Sequence, residues 1–252
     1  MLPDKTADNR KKTRSPNHCN ARHDLNFSHL GKADSGGVLK ADLHIHTQRF
    51  SGCSIIEPEE ALRRAAELGL GMIALTEHGI RWPDDELYRL IKKSDVKDLV
   101  VIPGQEAACY SLRGEFQGEF LVFGYPESLG SNKTAPQLIE MVHSRNGVVV
   151  AAHPFKKKKR GEGYYGCGND IYDLDVDGLE IIHPSYEKKS MLLARQVMEK
   201  KNIAGLGCSD AHVLSDIGRC WSELDNSIHD EKSLCQTIRA CRVEAMGWND
   251  SC

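Results

Sequence analysis

Ala41-Asp42-Leu43-His44-Ile45-His46-Thr47 closes an apolar-flanked run that begins at Val38, and the rest of the chain is organised around it. In a β-strand, side chains at i and i+2 share one face, so His44 and His46 aim at one point beyond the sheet. Neutral imidazole is the commonest protein metal ligand, and a pair at this spacing can share a divalent ion. A strand that merely carries two histidines on a polar face has the same pattern. The other strand ends decide between the two.

The 252 residues are 40% hydrophobic, enough for one sizeable core and suited to a single α/β domain. A formal net charge of -3 argues against nucleic-acid binding through bulk charge, although a local basic patch remains compatible with it. The nine cysteines are odd in number and include no C-x-x-C pair, which reads as reduced thiols in a cytoplasmic protein. The N-terminus lacks the apolar region of a secretory signal, and no apolar run is long enough to cross a bilayer. The expectation is a soluble, cytoplasmic protein with no membrane partner. Residues 1–37 are polar and aperiodic and read as a disordered tail, leaving 38–252 as one domain. The basic run Arg10-Lys11-Lys12-Thr13-Arg14 in that tail reads as solvated rather than as a nucleic-acid contact.

From Val38 onward short apolar strands alternate with helices. Strands are expected over Val38–Thr47, Met72–Leu75, Leu99–Ile102, Phe120–Phe123, Val148–Ala152, Leu179–Ile182 and Ala204–Gly207. Helices are expected over Pro58–Leu68, Asp84–Lys93, Pro136–Ser144, Tyr186–Lys200 and Glu231–Cys241; Pro58 opens the first and Gly69 stops it. Such alternation means parallel strands joined by crossovers, and about seven of them in this length point to a barrel rather than an open sheet. Active sites of both architectures gather at the carboxyl ends of the strands.

Nearly every strand ends in a titratable residue: His44, His46, Glu77, His78, Glu106, His153, Asp210 and His212. These are nitrogen and oxygen donors without clustered thiolates, the ligand set of a hydrolytic Zn, Mn or Fe centre. Asp210 and His212 repeat the i, i+2 spacing. A carboxylate such as Glu106 can bridge two cations, and two close cations can hold a shared hydroxide and clamp an in-line displacement at phosphorus. Leaving that many buried ionisable groups unliganded would be costly.

The motifs Asp42-Leu43-His44-Ile45-His46-Thr47, Thr76-Glu77-His78-Gly79, Pro103-Gly104-Gln105-Glu106, Ala152-His153-Pro154-Phe155 and Ser209-Asp210-Ala211-His212 together resemble the PHP (polymerase and histidinol phosphatase) domain. The resemblance covers about Lys40 to Arg219. It implies a distorted seven-stranded (β/α) barrel of PHP type, two or three divalent ions and metal-dependent phosphoester hydrolysis. Carried over, it implies that His44, His46, Glu106 and Asp210 hold one ion and that Glu106 and His153 hold a second, with Glu106 bridging. His78 and His212 contribute to a third.

Three positions depart from the family pattern. Ser51-Gly52-Cys53 stands where the family offers an Asp or His to the third metal, so either Cys53 supplies a thiolate or that site is weak. Glu77 replaces the commoner Asp of the second motif. Gly118-Glu119 stands where Gly-His is common, so Glu119 either substitutes oxygen donors, favouring Mn over Zn, or leaves the second ion short of a ligand.

Around this constellation, Lys156-Lys157-Lys158-Lys159-Arg160 follows His153-Pro154-Phe155 directly and would emerge at the rim of the site. Lys156, Lys157 and Arg160 are candidates for phosphate capture, against the alternative of a solvated loop. Arg219 could grip a phosphate bidentately or be an ordinary surface residue. His183 ends a strand on the same face, as a proton donor, a substrate contact or a satisfied core histidine. Tyr164 and Tyr165 read as turn packing, with stacking on a base as the alternative.

The sequence therefore points to a metal-dependent phosphoesterase in which a metal-bridging hydroxide attacks a phosphomonoester or small phosphodiester. Glu106, Asp210 and His183 are its expected catalytic residues. The rivals are an exonuclease acting on DNA or RNA ends, and a catalytically silent PHP-like binding module. Hydrolysis of a C–N bond is more distant, since ligands alone do not choose phosphorus over carbon.

Overall fold

A computed structural model describes residues 37–247; residues 1–36, nearly all of the polar stretch read above as a tail, lie outside the described residues, as do 248–252. The elements run β1 (Val38–Ile45), α1 (Pro58–Glu67), β2 (Met72–Leu75), α2 (Asp84–Ser94), β3 (Val100–Ile102), β4 (Gln105–Tyr110), β5 (Phe116–Phe123) and α3 (Ala135–Ser144). They continue with β6 (Val148–Ala151), β7 (Gly178–Ile182), α4 (Lys188–Lys201), β8 (Ala204–Gly207), β9 (Cys220–Asp225), α5 (Glu231–Arg239) and β10 (Glu244–Gly247). The helix starts follow local chemistry. Pro58 occupies the first turn of α1 ahead of Glu59 and Glu60, while Thr134 with Gln137 and Asp230 with Ser233 form capping boxes for α3 and α5.

The strands make two five-stranded mixed sheets, in the orders β10-β9-β1-β2-β3 and β4-β5-β6-β7-β8. This corrects the expected seven-stranded (β/α) barrel: no closed barrel forms among the described residues. Three strands absent from the sequence reading, β4, β9 and β10, bring antiparallel pairings with β5, β1 and each other. They escaped notice because Gln105–Tyr110 and Glu244–Gly247 contain no run of branched apolar residues, and Cys220–Asp225 mixes polar with apolar. The parallel pairs β1–β2, β2–β3, β6–β7 and β7–β8 are the expected ones.

Met72–Leu75, Val148–Ala151 and Ala204–Gly207 are buried throughout, as strands covered on both faces must be. Leu43, Met72, Leu121, Phe123, Val150 and Leu206 join the two sheets in one apolar layer. Leu62, Leu87 and Leu90 of α1 and α2 cover Ile73 and Leu75 on one side, and Leu138, Val142 and Val197 of α3 and α4 cover Val149 and Leu179 on the other. The sheets are laced together where the site lies: Gly79 N donates to Glu106 O at 2.7 Å and Glu106 N to Glu77 O at 3.0 Å, while His46 N donates to Ala211 O at 3.0 Å. The carboxyl ends of β1, β2, β6, β7 and β8 thereby converge. No helix among the described residues is long and apolar enough to cross a membrane. Cys53, Cys109, Cys167, Cys208 and Cys235 are free thiols; Cys241 is disulfide-bonded, so the expectation of reduced thiols fails at that position.

Candidate metal centre

His44 and His46, read from their spacing as facing one point, have Nε2 atoms 3.0 Å apart. Asp210 Oδ1 lies 3.4 Å from the first and 3.5 Å from the second. Glu106 is shared by four imidazoles: Oε1 is 3.3 Å from His44 Nε2 and 3.2 Å from His153 Nε2, and Oε2 is 3.4 Å from His46 Nε2 and 3.0 Å from His78 Nδ1. The described residues thus assemble four overlapping donor triplets: His44-His46-Asp210, His44-Glu106-His153, His78-Glu106-Glu119 and His46-His78-His212, the ligand atoms of each within 4.8 Å of one another.

Backbone irregularities aim these side chains. The pairing of β1 with β2 shifts register between Asp42 and Ile45, the stretch of β1 that carries His44. His153 and Asp210 hold φ of 28° and 51°, a region that non-glycine residues seldom occupy and that concentrates at functional sites. Gly118, beside Glu119, has φ 121° and lies so close to Cys167 that a Cβ would meet its backbone N at 2.8 Å.

Buried partners hold the donors in place. Glu77 does not face the donor cluster. It accepts from Thr47 N and Oγ1, from Ser51 Oγ at 2.5 Å and from Trp82 Nε1 at 3.0 Å, and Ser51 Oγ in turn lies 3.2 Å from His46 Nδ1. Asp42 accepts from Ser209 N at 3.1 Å and Gly218 N at 2.9 Å, tying β1 to the Asp210 loop. Glu180, which the sequence reading missed, lies 2.8 Å from His44 Nδ1 and accepts from His153 N at 2.6 Å. Its signal was present as the one acidic residue in the apolar strand Gly178-Leu179-Glu180-Ile181-Ile182.

The electrostatics follow from burial and pairing. Burial opposes charge on His44, but Glu106, Glu180 and Asp210 outweigh it and raise its pKa well above the usual imidazole value. Burial lowers His46 to about 4. The hydrogen bond to Glu106 lifts His78 to about 9. Burial would raise Glu106 and Asp210, yet the surrounding imidazoles, His44 foremost, hold both well below the carboxylate range. Burial and the Glu106 charge push Glu119 up to about 7, and burial takes Asp42 to about 6.

At the rim, Lys156 Nζ reaches Asp210 Oδ2 at 2.7 Å. His183 Nε2 is 3.4 Å from the same oxygen, while its Nδ1 accepts from Ser185 N at 3.1 Å. Neutral His183 therefore carries its proton on Nε2. Cys53 Sγ is 3.1 Å from His78 Nε2, and Glu119 Oε2 is 3.6 Å from His153 Nε2. The rest of the basic run forms an exposed hairpin in which Lys157 pairs with Glu187 at 2.6 Å and Arg160 sits at the tip. Tyr164 packs edge-on against Phe155 as turn packing, and Tyr165 is exposed. Arg219 is exposed, with its guanidinium 3.3 Å from Asp216.

The PHP-associated family model matches residues 190–243. Over 155 residues the chain is 31% identical to an uncharacterized protein of Methanocaldococcus jannaschii, an alignment spanning 58% of this chain and 82% of that one. In three dimensions it resembles a two-domain protein of Bacteroides vulgatus containing a predicted PHP-like metal-dependent phosphoesterase, with a TM-score of 0.63 and 18% identity over 96% of this chain and 70% of the other. It also resembles the lesion-specific Endonuclease Q of Pyrococcus furiosus, with a TM-score of 0.58 and 18% identity. It covers 58% of that enzyme's length, and 83% of this chain is aligned. The chain belongs to the PHP domain family.

Proposed function

We propose that the protein is a metal-dependent phosphoesterase acting on a phosphomonoester or small phosphodiester. The observation that carries this reading is the pair of Nε2 atoms 3.0 Å apart on His44 and His46, with Asp210 Oδ1 and both Glu106 oxygens close by. Glu180 accepts a hydrogen bond from His44 Nδ1, so the neutral ring that binds a cation would turn its Nε2 lone pair into the centre. His44, His46 and Asp210 would hold one divalent ion, with Glu106 shared between it and a second held with His153. His78 and His212, with His46 and the Cys53 thiol beside His78, would hold a third, and Glu119 would add oxygen donors near the second. Such ions, Zn, Mn or Fe, supply Lewis acidity and an acidified water for attack at phosphorus.

The chain's own residues do the rest. Asp210 splits its oxygens, Oδ1 toward the imidazoles and Oδ2 toward Lys156 and His183. The Lys156 ammonium, kept charged by Asp210 despite burial, has two further protons for a phosphate oxygen. His183, its pKa lowered by burial, serves as a neutral Nε2–H donor that steadies Asp210 or a substrate oxygen. Lys157, Arg160 and Arg219 would meet the remainder of an anionic substrate.

The test is metal content of the purified protein by mass spectrometry, with hydrolysis of an aryl phosphate in added Mn or Zn. More than one ion per chain, and activity abolished in His44→Ala, is the expected result. No bound metal and no hydrolysis with either ion leaves the binding-module reading instead. The exposed basic hairpin and the structural likeness to Endonuclease Q favour a second reading, cleavage of nucleic acid. Its mark is cleavage of a labelled oligonucleotide, with binding that weakens steeply as salt is raised.

A further inference from the structure

Glu180 lies on β7 of the second sheet, fully buried, and each of its oxygens has a different partner. Oε2 accepts from the backbone N of His153, and Oε1 faces Nδ1 of His44 on β1 of the first sheet. An ionised carboxylate only accepts and a backbone amide only donates, so both partners are donors and the proton of neutral His44 sits on Nδ1. In that neutral form, which a bound cation would enforce by displacing the second proton, the His44 Nε2 lone pair faces His46, Glu106 and Asp210. The other contact restrains His153 in its φ of 28°, the conformation that sends its Nε2 to Glu106 Oε1.

We propose that Glu180 is a positioning residue for the metal centre, which fixes the tautomer of His44 and the backbone of His153 so that both Nε2 atoms face the same cations. The inference rests on the metal-site reading above and extends it to a residue outside every motif. Glutamine in this place has one acceptor where two donors converge. Either the His153 amide then faces an NH2 group, or His44 turns to its Nε2–H tautomer and withdraws a ligand. Aspartate keeps two acceptor oxygens but pulls them back by one methylene.

Wild type, Glu180→Gln and Glu180→Asp are to be compared by two measurements: zinc affinity in competition with a chromophoric chelator, and imidazole 15N NMR of the zinc-loaded proteins. The expected result is a loss of zinc affinity of about 10- to 100-fold in Glu180→Gln, with the Nδ1–H signature of His44 lost. Glu180→Asp is expected to keep that signature and lose less affinity. Zinc binding by Glu180→Gln within about twofold of wild type, with the His44 tautomer unchanged, overturns the inference and leaves the metal site standing. Absence of zinc binding by the wild type removes both together. If Glu180→Gln lacks near-ultraviolet dichroism and so is not folded, Glu180→Asp decides: unchanged zinc affinity overturns the inference, and a weakened one with the tautomer retained supports it.

Discussion

His44, Glu106 and His153 are sealed from solvent to within a few per cent, whereas the side chain of His78 is 42% exposed and that of His212 31%, although both groups surround one centre. The inner residues are braced by buried partners in turn: Glu180 behind His44, Ser51 and Glu77 behind His46. The outer ones have looser company. His78 meets the exposed Cys53, and His212 Nδ1 lies 2.9 Å from the backbone oxygen of its neighbour Asp210. Interactions in the dry inner half act through a low dielectric and with little reorganisation, which suits holding ions. The outer half is open to solvent, so its contribution can be tuned by residues such as Cys53 and Glu119.

The contrast breaks most visibly if its shared member is removed. Glu106→Gln strips charge from the centre of four imidazoles and is predicted to lower aryl phosphate hydrolysis by at least about 10³-fold, several kcal/mol of barrier. Activity within tenfold of wild type would contradict the central place given to it. Lys156→Ala removes a charge-assisted donor, worth about 1.5–3 kcal/mol or roughly 10- to 100-fold. The loss should appear as a raised KM with metal content unchanged; a drop in bound metal would instead make Lys156 a support for Asp210.

The outer half can be titrated. The His78 pKa of about 9 lies above its unfolded value, so between about pH 6.5 and 9 the folded protein carries a proton there that a cation must displace. Affinity for the ion using His78 is predicted to rise with pH across that window, by up to about tenfold per unit, and to level off above it. Chelator competition at several pH values, with proton release followed by an indicator dye, checks both slope and plateau. The same linkage makes the His78–Glu106 pairing, in protein without metal, a stabilising contact below about pH 6.5 that is lost as pH rises through about 9. Cys53→Ser should have the smallest effect, a change of a few-fold in the affinity for an ion held by His78 and His212, since the thiol is exposed and an oxygen can take its place. A loss as large as that of Glu106→Gln would place Cys53 with the inner group.

Much of the inner site was legible because its logic is local. His44 and His46 are two residues apart, and the Asp210–His212 pair repeats that spacing, so strand periodicity already indicates a shared face. The boundaries of α1, α2 and α3 follow from Pro58, Pro83 and Pro136 with the acidic or capping residues beside them, and each falls within a residue or two of its expected place. Lys156 was read as a rim cation; only its partner, Asp210, was not foreseen. Glu180 looked like an ordinary strand residue because its partner stands 136 residues away in sequence.

By itself the sequence determined which donors stand at strand ends and which segments are apolar enough to be buried, since both depend on periods of two or 3.6 residues and on short capping patterns. Tertiary structure decided how those strands pair. β4 and β5 close antiparallel, β9 returns beside β1 with β10 on its outer side, and two mixed sheets form where a run of parallel strands had been expected. Register, the left-handed turns at His153 and Asp210, and the carboxylate behind His44 depend on contacts between distant segments, and no local propensity encodes those.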